Sequence, residues 1–311
     1  MRRSDHDVSG SIRTTDPAAV CAEVTRLFLG LYPQASSRPV EQAFADAARI
    51  YHGQHPRFEA CDTGFHDLQH VLDVTLAQAR LMDGYERARR RGEPLPPALY
   101  TLGVICALFH DVGYVRRRGD RRHRTGAEYL RTHVSRGAAF LLEYLREAGL
   151  ARYANAAAAL VHFTGRERPP EAIRLDHLLL RRIGQMLGTA DILAQMSDRC
   201  YLEKCRDRLY PELVAGGVAH GRFRSGEELV HATPALFIGA TKRLDLHLAR
   251  AHEYAERHFG GQNLYLEEIH KNVRHARVVA DAGLRGLLRR APPVTAAAAA
   301  GASRRPGEGR L

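Results

Sequence analysis

The stretch ALYTLGVICALFHDVGY, residues 98–114, decides the fold class of this chain. It carries no charged side chain before its His110-Asp111 pair, which predicts a helix that is buried on most of its sides. An ionisable pair at the end of such a helix is costly unless it is paired or bound to a metal ion. An imidazole nitrogen and a carboxylate oxygen suit Mn, Fe, Zn or Mg. We therefore expect His110 and Asp111 to be metal ligands; a pair that simply faces water fits so apolar a helix less well.

The same helical spacing of apolar residues extends over most of the chain. Asp16-Pro17 combines an N-cap residue with a proline in the first turn and predicts a helix start. Further helices are predicted at 40–51, 66–90, 125–148, 153–163, 172–210, 226–258 and 263–289. No stretch keeps strand alternation for long, and no repeat or domain boundary is visible. The sequence thus predicts an all-α, single-domain bundle of about nine helices over residues 17–290.

The two ends of the chain differ from this pattern. Residues 1–16 are polar and predict disorder, and residues 291–311 are biased towards Ala, Pro, Gly and Arg, which predicts a flexible tail. No apolar run follows the basic N-terminus, and none reaches about 18 residues elsewhere, so we expect neither a signal peptide nor a membrane span. Five cysteines without a CxxC pair indicate reduced thiols. We therefore expect a cytoplasmic protein without membrane association.

The net charge of +11 indicates an anionic partner. We expect a small phosphorylated substrate, for example a nucleotide; nucleic acid also fits the charge but is not favoured. The basic segment RRRGDRRHR, residues 116–124, begins two residues after Tyr114, the last residue of that apolar stretch. Its first three residues, Arg116, Arg117 and Arg118, are candidates for substrate binding because guanidinium groups clamp phosphate oxygens. A solvated basic loop explains the segment equally well.

Two further places supply candidate site residues. His66 and His70 are the only histidines four residues apart, a spacing that places both on one face of a helix. Asp191 lies within the apolar segment GTADILAQMSD, residues 188–198, where a carboxylate needs a partner. The alternatives are two surface histidines for the pair and a salt bridge to an arginine for Asp191.

In chain order these residues read H-x3-H, then HD, then D, within FHDLQHVLDV (65–74), ALFHDVGY (107–114) and GTADILAQMSD. The order resembles the HD-domain superfamily of metal-dependent phosphohydrolases, which includes cyclic-nucleotide phosphodiesterases. The resemblance covers at least residues 50–200. It implies a helical fold of the HD-domain type and hydrolysis of a phosphomonoester or phosphodiester by attack of a metal-bound hydroxide.

The resemblance also implies a set of ligands for one or two divalent ions of Mn, Mg, Fe, Zn or Ni. The ligands of the first ion would be His70, His110, Asp111 and Asp191. Asp111 would bridge to the second ion. His133 in HVSRGAAFL and His162 in LVHFTGRE would complete that second site.

Two of the candidates are expected to take part in the reaction itself. Asp111 sets the spacing of the two metals, which lie roughly 3.5–4 Å apart in sites of this kind. The leaving alkoxide then needs a proton. His66 is the expected general acid, since it lies one helical turn before His70 and is not needed as a ligand.

Other activities remain as alternatives. The chain lacks the Gly-Tyr-Pro element of cyclic di-GMP hydrolases, the acidic pair of alarmone hydrolases and the histidine-rich extension of deoxynucleotide triphosphohydrolases, so none of these substrates is favoured. Some HD-domain proteins of similar ligand order are diiron oxygenases that act on small polar molecules, and this is the alternative function. A binding module without activity is a third reading, against which the four-ligand set argues.

Overall fold

A computed structural model describes residues 2–89, 93–282 and 290–293 of the chain. Across these residues the regular structure is helical, with only two isolated β-bridges, and the predicted all-α class is confirmed. The described α-helices are α1 (Pro17–Leu31), α2 (Arg38–Tyr51), α3 (Leu68–Ala88), α4 (Pro97–Phe109), α5 (His133–Glu147), α6 (Ala154–Leu160), α7 (Leu178–Ser197), α8 (Tyr201–Lys204), α9 (Tyr210–Ala215), α10 (Gly226–His231), α11 (Thr233–Leu246), α12 (Glu253–His258) and α13 (Leu264–Ala282). None of them has the length and apolar character needed to cross a membrane.

These helices are shorter and more numerous than the predicted bundle of about nine, with thirteen α-helical segments in the described part of the chain. The stretch 226–258, predicted as one helix, is divided into α10, α11 and α12, and between the last two Ala249 and Arg250 adopt positive φ angles of 50° and 55°. The stretch 172–210 is divided into α7, α8 and a π-helical turn, Cys205–Leu209. Apolar periodicity alone does not register such interruptions, because the apolar positions continue across them.

Helix α3 lies at the centre of the packing and contacts α1, α4, α7 and α12. Most of its side chains are buried, including the polar Gln78, Arg80 and Asp83. Helix α12 approaches its backbone so closely that a Cβ at Gly84 would lie 1.8 Å from the carbonyl oxygen of Tyr254. Only glycine permits this approach. Helices therefore pack against α3 from several sides.

Helix α4 is the buried helix that the stretch 98–114 predicts. Every residue from Tyr100 to Phe109 is buried, which confirms that prediction. The helix ends at Phe109, His110 is its C-cap, and a short 3-10 turn, Val112–Tyr114, follows. Because α4 packs against both α3 and α7, its C-terminal end brings the His110-Asp111 pair to these two helices.

The N-terminal segment packs on the helical body. Asp7 pairs with Arg80 of α3, with Oδ2 2.6 Å from Nη2, and both side chains are buried. The guanidinium of Arg2 donates to the carbonyl oxygen of Ser197 at 2.8 Å. Residues 2–16 therefore make defined contacts, whereas their polar composition predicts disorder. Residues 294–311, most of the predicted flexible tail, lie outside the described residues.

Candidate metal centre

The first turn of α3 places His70 in the site. Asp67 is the N-cap of this helix, and its Oδ1 accepts a hydrogen bond from the His70 N–H at 3.0 Å. This cap fixes the start of the helix. The Nε2 atom of His70 lies 3.4 Å from Oδ1 of Asp191, which belongs to the neighbouring α7. His70 is thus the partner that a carboxylate in an apolar helix requires.

The end of α4 supplies the His110-Asp111 pair. The Nδ1 atom of His110 donates to the carbonyl oxygen of Ala107 at 2.8 Å, which leaves the lone pair on Nε2 for the site. The Oδ2 atom of Asp111 lies 3.2 Å from Nε2 of His110 and 3.3 Å from Nε2 of His70. One oxygen of Asp111 therefore faces both imidazoles.

Three of the side chains form a donor set with the spacing of a metal site. One ligand atom each from His70, His110 and Asp191 lies within 4.8 Å of the other two. Asp111 is not part of this set, although it contacts both histidines. The Nε2 atoms of His70 and His110 are buried and make no hydrogen bond with any described residue. Buried nitrogen atoms without a hydrogen bond call for a proton or an ion, and two imidazoles with carboxylates suit a divalent transition metal.

The carboxylates give the centre a preference for positive charge. Burial alone lowers the pKa of His70, but Asp111 and Asp191 outweigh it and raise the pKa to about 10. Burial alone raises the pKa of Asp111, but the adjacent His110 outweighs it and leaves the pKa well below its usual value. The same carboxylates attract a divalent ion, which would displace the proton from His70 on binding.

His133 approaches Asp111 from the other side of the carboxylate. It is the first residue of α5, and a Cβ at Gly113 would lie only 1.9 Å from its carbonyl oxygen, so glycine is needed for this approach. The Nδ1 atom of His133 donates to Leu130 O at 2.8 Å, which leaves Nε2 free. That Nε2 lies 3.7 Å from Oδ1 of Asp111. The position fits the predicted ligand of a second ion.

His162 shows no comparable contact with Asp111. It lies in the 3-10 turn Val161–Phe163 and is buried. Its ion-pair contact is with Glu167, at 3.9 Å between Nδ1 and Oε2. Burial lowers its pKa, and the charges that act on it are those of Arg168 and Glu167. Its role in a second metal site stays a prediction.

His66 lies beside the centre, but not for the reason that its spacing suggests. The predicted helix from residue 66 instead starts at Leu68, so His66 precedes the N-cap and is not on the helix face of His70. Its ring is nevertheless 5.6 Å from that of His70, centroid to centroid. Among the described contacts, its Nδ1 donates to Oε2 of Glu212 at 2.5 Å. Burial alone lowers the pKa of His66, but the Glu212 carboxylate outweighs it and leaves the pKa raised.

Tyr114 and Glu212 are site residues that the sequence does not reveal. The ring of Tyr114 stacks against those of both His66 and His133, with centroids 4.5 Å and 4.3 Å away and planes inclined by 17° in both cases. Glu212 belongs to α9, far along the chain from His66. Tyr114 follows the HD pair closely and could have been suspected; no pattern in the sequence points to Glu212.

The three arginines predicted to bind substrate each pair with a carboxylate. Arg116 pairs with Asp62 at 3.0 Å, Arg117 with Glu143 at 3.7 Å and Arg118 with Glu59 at 3.6 Å. The latter two arginine side chains are largely exposed. These contacts are those of a solvated basic loop with local ion pairs. A role for the loop in substrate binding stays a prediction.

Exposure distinguishes the closed side of the centre from the accessible side. The side chains of His70, His110 and Asp111 are at most 5% exposed. Those of His66, Asp191 and His133 retain 15%, 16% and 18%. A small molecule would therefore approach the cluster from the side of these three residues.

No model of a known protein family matches the chain, and no curated protein matches it either. The resemblance to HD-domain phosphohydrolases therefore rests on the residues of the chain itself.

Proposed function

We propose that the chain is a metal-dependent phosphohydrolase of the HD-domain type, which cleaves a phosphomonoester or phosphodiester. The observation that carries the proposal is the donor set of His70, His110 and Asp191, with atoms within 4.8 Å of one another. Two of its nitrogen atoms are buried without a hydrogen bond, which supports an ion at this place. Mn, Mg, Fe, Zn and Ni are the candidates.

The residues of the centre would have different roles in binding the metal ions. His70, His110 and Asp191 would hold the first ion, and Asp111 would stand between it and a second ion near His133. A divalent ion there supplies Lewis-acid stabilisation of the phosphate oxygens and a water of lowered pKa. The protein contributes the fixed position of these ligands, because His110 and His133 are each oriented by a backbone carbonyl.

His66 is the proton donor in this proposal. Its Nδ1–H is engaged by Glu212, so Nε2 is the atom left to deliver a proton to the leaving oxygen. Its raised pKa increases the fraction of the imidazole that carries this proton at neutral pH. This pairing of a proton donor with the metal centre favours hydrolysis over the oxygenase alternative, since the oxidation of a small polyol does not need a leaving group to be protonated.

The substrate class follows from charge and access. The accessible side of the centre is lined by His66, Asp191 and His133, and the chain has a net charge of +11. A positive field raises the local concentration of phosphorylated molecules. A small phosphate ester such as a nucleotide fits this combination.

The test is a panel of phosphoesters with the metal-free chain refilled separately with Mn, Mg, Fe, Zn or Ni. We expect hydrolysis that depends on added metal and is lost in Asp111→Ala. Absence of hydrolysis with every ion would contradict the proposal. Oxygen uptake by the iron-loaded chain without phosphate release would replace it with the oxygenase function.

A further inference from the structure

The loop that carries His66, residues 64–67, is contacted by two side chains of the segment that runs from α8 to α9. It precedes α3, and of its four residues Asp67, the N-cap, accepts a helical hydrogen bond, from the Val71 N–H at 3.3 Å. Proton donation needs a ring that is fixed relative to the metal centre, because small displacements of catalytic groups reduce rates strongly. The groups that fix this loop therefore bear on the reaction.

Arg208 contacts both ends of the loop. At one end its Nη1 donates to the carbonyl oxygen of Gly64 at 3.4 Å. A Cβ at Gly64 would meet side-chain carbons of Arg208 at 3.6–3.8 Å, so the aliphatic stem of the arginine lies against the glycine. At the other end Nη1 is 3.7 Å from Oδ2 of Asp67. Arg208 thus spans the loop from Gly64 to Asp67.

The contact with Asp67 compensates a buried charge. Oδ1 of Asp67 accepts from the His70 N–H, while Oδ2 is buried and makes no hydrogen bond with the described residues. A buried carboxylate oxygen needs a nearby cation. Lys204 lies in the same region, but its Nζ is engaged by Asp198 at 2.5 Å. Among the described residues, Arg208 is therefore the cation within ion-pair distance of the cap that starts α3.

Glu212, one turn further along, holds the middle of the same loop. Its Oε1 accepts from the N–H of Phe65 at 2.6 Å and, more weakly, from that of His66 at 3.4 Å. Between α8 and α9 the chain forms the π-helical turn Cys205–Leu209, which contains Arg208. Turns of this kind are rare in proteins, and those that occur often lie at functional sites. The segment presents Arg208 and Glu212 together to four consecutive residues of the loop.

The position of Arg208 is itself fixed. Its Nη2 donates to the carbonyl oxygen of Pro293 at 2.5 Å, and the side chain is only 13% exposed. The segment that contains Pro293 is anchored in turn, because the N–H of Arg290 donates to Oε1 of Glu203 at 3.1 Å. The guanidinium is thus bound on both sides, by the loop and by the segment 290–293.

We propose that Arg208 is a positioning residue, which clips the loop 64–67 at both ends and so holds His66 in place as proton donor. The catalytic consequence rests on the proposed function. The clip itself, which is the pair of contacts from Arg208 to Gly64 and Asp67, is a property of the fold. Arg208 acts through His66 and Asp67 and does not touch the substrate in this account.

The clip is tested by amide hydrogen exchange in the full-length chain. Arg208→Gln removes the positive charge and most of the N–H donors of the guanidinium. We expect the amides of Phe65 and His66 to exchange about tenfold faster in this variant. The matched control is Arg206→Gln, in the same π-helical turn, whose guanidinium pairs with the adjacent Asp207. The control should leave the exchange of both amides unchanged. Equal exchange in Arg208→Gln and the unsubstituted chain would overturn the proposal.

The catalytic consequence is tested with substrates that have good and poor leaving groups. Arg208→Gln should lower kcat on an alkyl phosphate on the order of 10 to 10²-fold with KM nearly unchanged, and much less on a nitrophenyl phosphate. Metal content should stay at the level of the unsubstituted chain. Arg208→Lys, which keeps the charge near Asp67 but cannot bridge Gly64 and Pro293, should restore part of the loss. An equal loss on both substrates would overturn the positioning role.

A failure of the proposed function can be distinguished from a failure of the positioning role of Arg208. Should the unsubstituted chain hydrolyse no phosphoester, the proposed function fails, while faster loop exchange in Arg208→Gln would still establish the clip. Should Arg208→Gln be too unstable to study, Arg208→Lys carries the same two measurements, with smaller expected changes. Unchanged exchange and unchanged kcat in Arg208→Lys, with Arg208→Gln unfolded, would show a merely structural role and overturn the proposal.

Discussion

The Oδ1 atom of Asp111 lies 3.7 Å from Nε2 of His133, while its Oδ2 faces the two imidazoles of the first donor set. The two oxygens of one carboxylate thus point to different histidine nitrogens. This is the arrangement expected of a carboxylate that bridges two ions. Much of the chemistry proposed for this chain depends on that one side chain.

The first prediction concerns Asp111. Asp111→Ala removes the carboxylate that contacts His70, His110 and His133, so we expect the purified chain to lose most of its bound metal. Metal content per chain, measured by elemental analysis, is the readout. Asp176→Ala, at an exposed position, is the control and should retain the full content. A fully loaded Asp111→Ala chain would contradict the assignment.

The second prediction concerns His133. Its Nε2 faces only the Oδ1 side of Asp111, so His133→Ala should remove the second ion and leave the first. Titration of the metal-free chain with Mn²⁺ should then show one site where the unsubstituted chain shows two. Two intact sites in His133→Ala would exclude this histidine as a ligand. His162→Ala, studied in parallel, decides whether that residue takes part at all.

The third prediction concerns His66. Replacing it with Ala should lower turnover on a poor leaving group by a factor on the order of 10² to 10⁴. Metal content should be nearly intact, because its Nδ1 is engaged by Glu212 and not by the metal centre. The loss should shrink for nitrophenyl esters, which need little protonation. Metal loss equal to that of His70→Ala would mean that His66 is a ligand instead.

The fourth prediction is the pH dependence of stability from the Asp7–Arg80 pair. Burial alone raises the pKa of Asp7, but Arg80 and the hydrogen bonds to the carboxylate outweigh it and leave the pKa below its usual value. A carboxyl whose pKa falls on folding stabilises the fold above its unfolded pKa of about 4, and this contribution is lost as the pH falls through the folded-state value.

Asp7→Asn should therefore lower the free energy of unfolding by about 3 kcal/mol at neutral pH, as expected when one partner of a buried pair is removed. The difference from the unsubstituted chain should shrink below about pH 4. Urea unfolding at several pH values gives the comparison. A difference that stays constant down to low pH would show that the charge of Asp7 contributes nothing.

Local patterns in the sequence predict part of this site well. The apolar run up to Phe109 predicts the buried α4, and burial requires the His110-Asp111 pair at its end to have partners. The same reasoning predicts a partner for Asp191, and the structure supplies His70. In both cases the cost of a buried ionisable group is visible from its neighbours in the chain.

Other features depend on contacts between distant parts of the chain. Apolar periodicity places the start of α3 too early, because it does not register that Asp67 caps the helix after His66. Glu212 and Arg208 reach the His66 loop from more than a hundred residues away. The contacts of the N-terminal segment likewise depend on Arg80 as the partner of Asp7. No composition or spacing within a short window carries such information.

The most direct test of the metal centre is anomalous X-ray scattering from crystals of the full-length chain loaded with Mn²⁺. The account predicts an anomalous peak roughly 2.0–2.3 Å from Nε2 of His70, Nε2 of His110 and a carboxylate oxygen of Asp191, with a second peak between Asp111 and His133. A peak only at the first position would remove the second ion and leave the first. Crystals that bind manganese elsewhere, with no peak at the His70–His110–Asp191 set, would contradict the central claim.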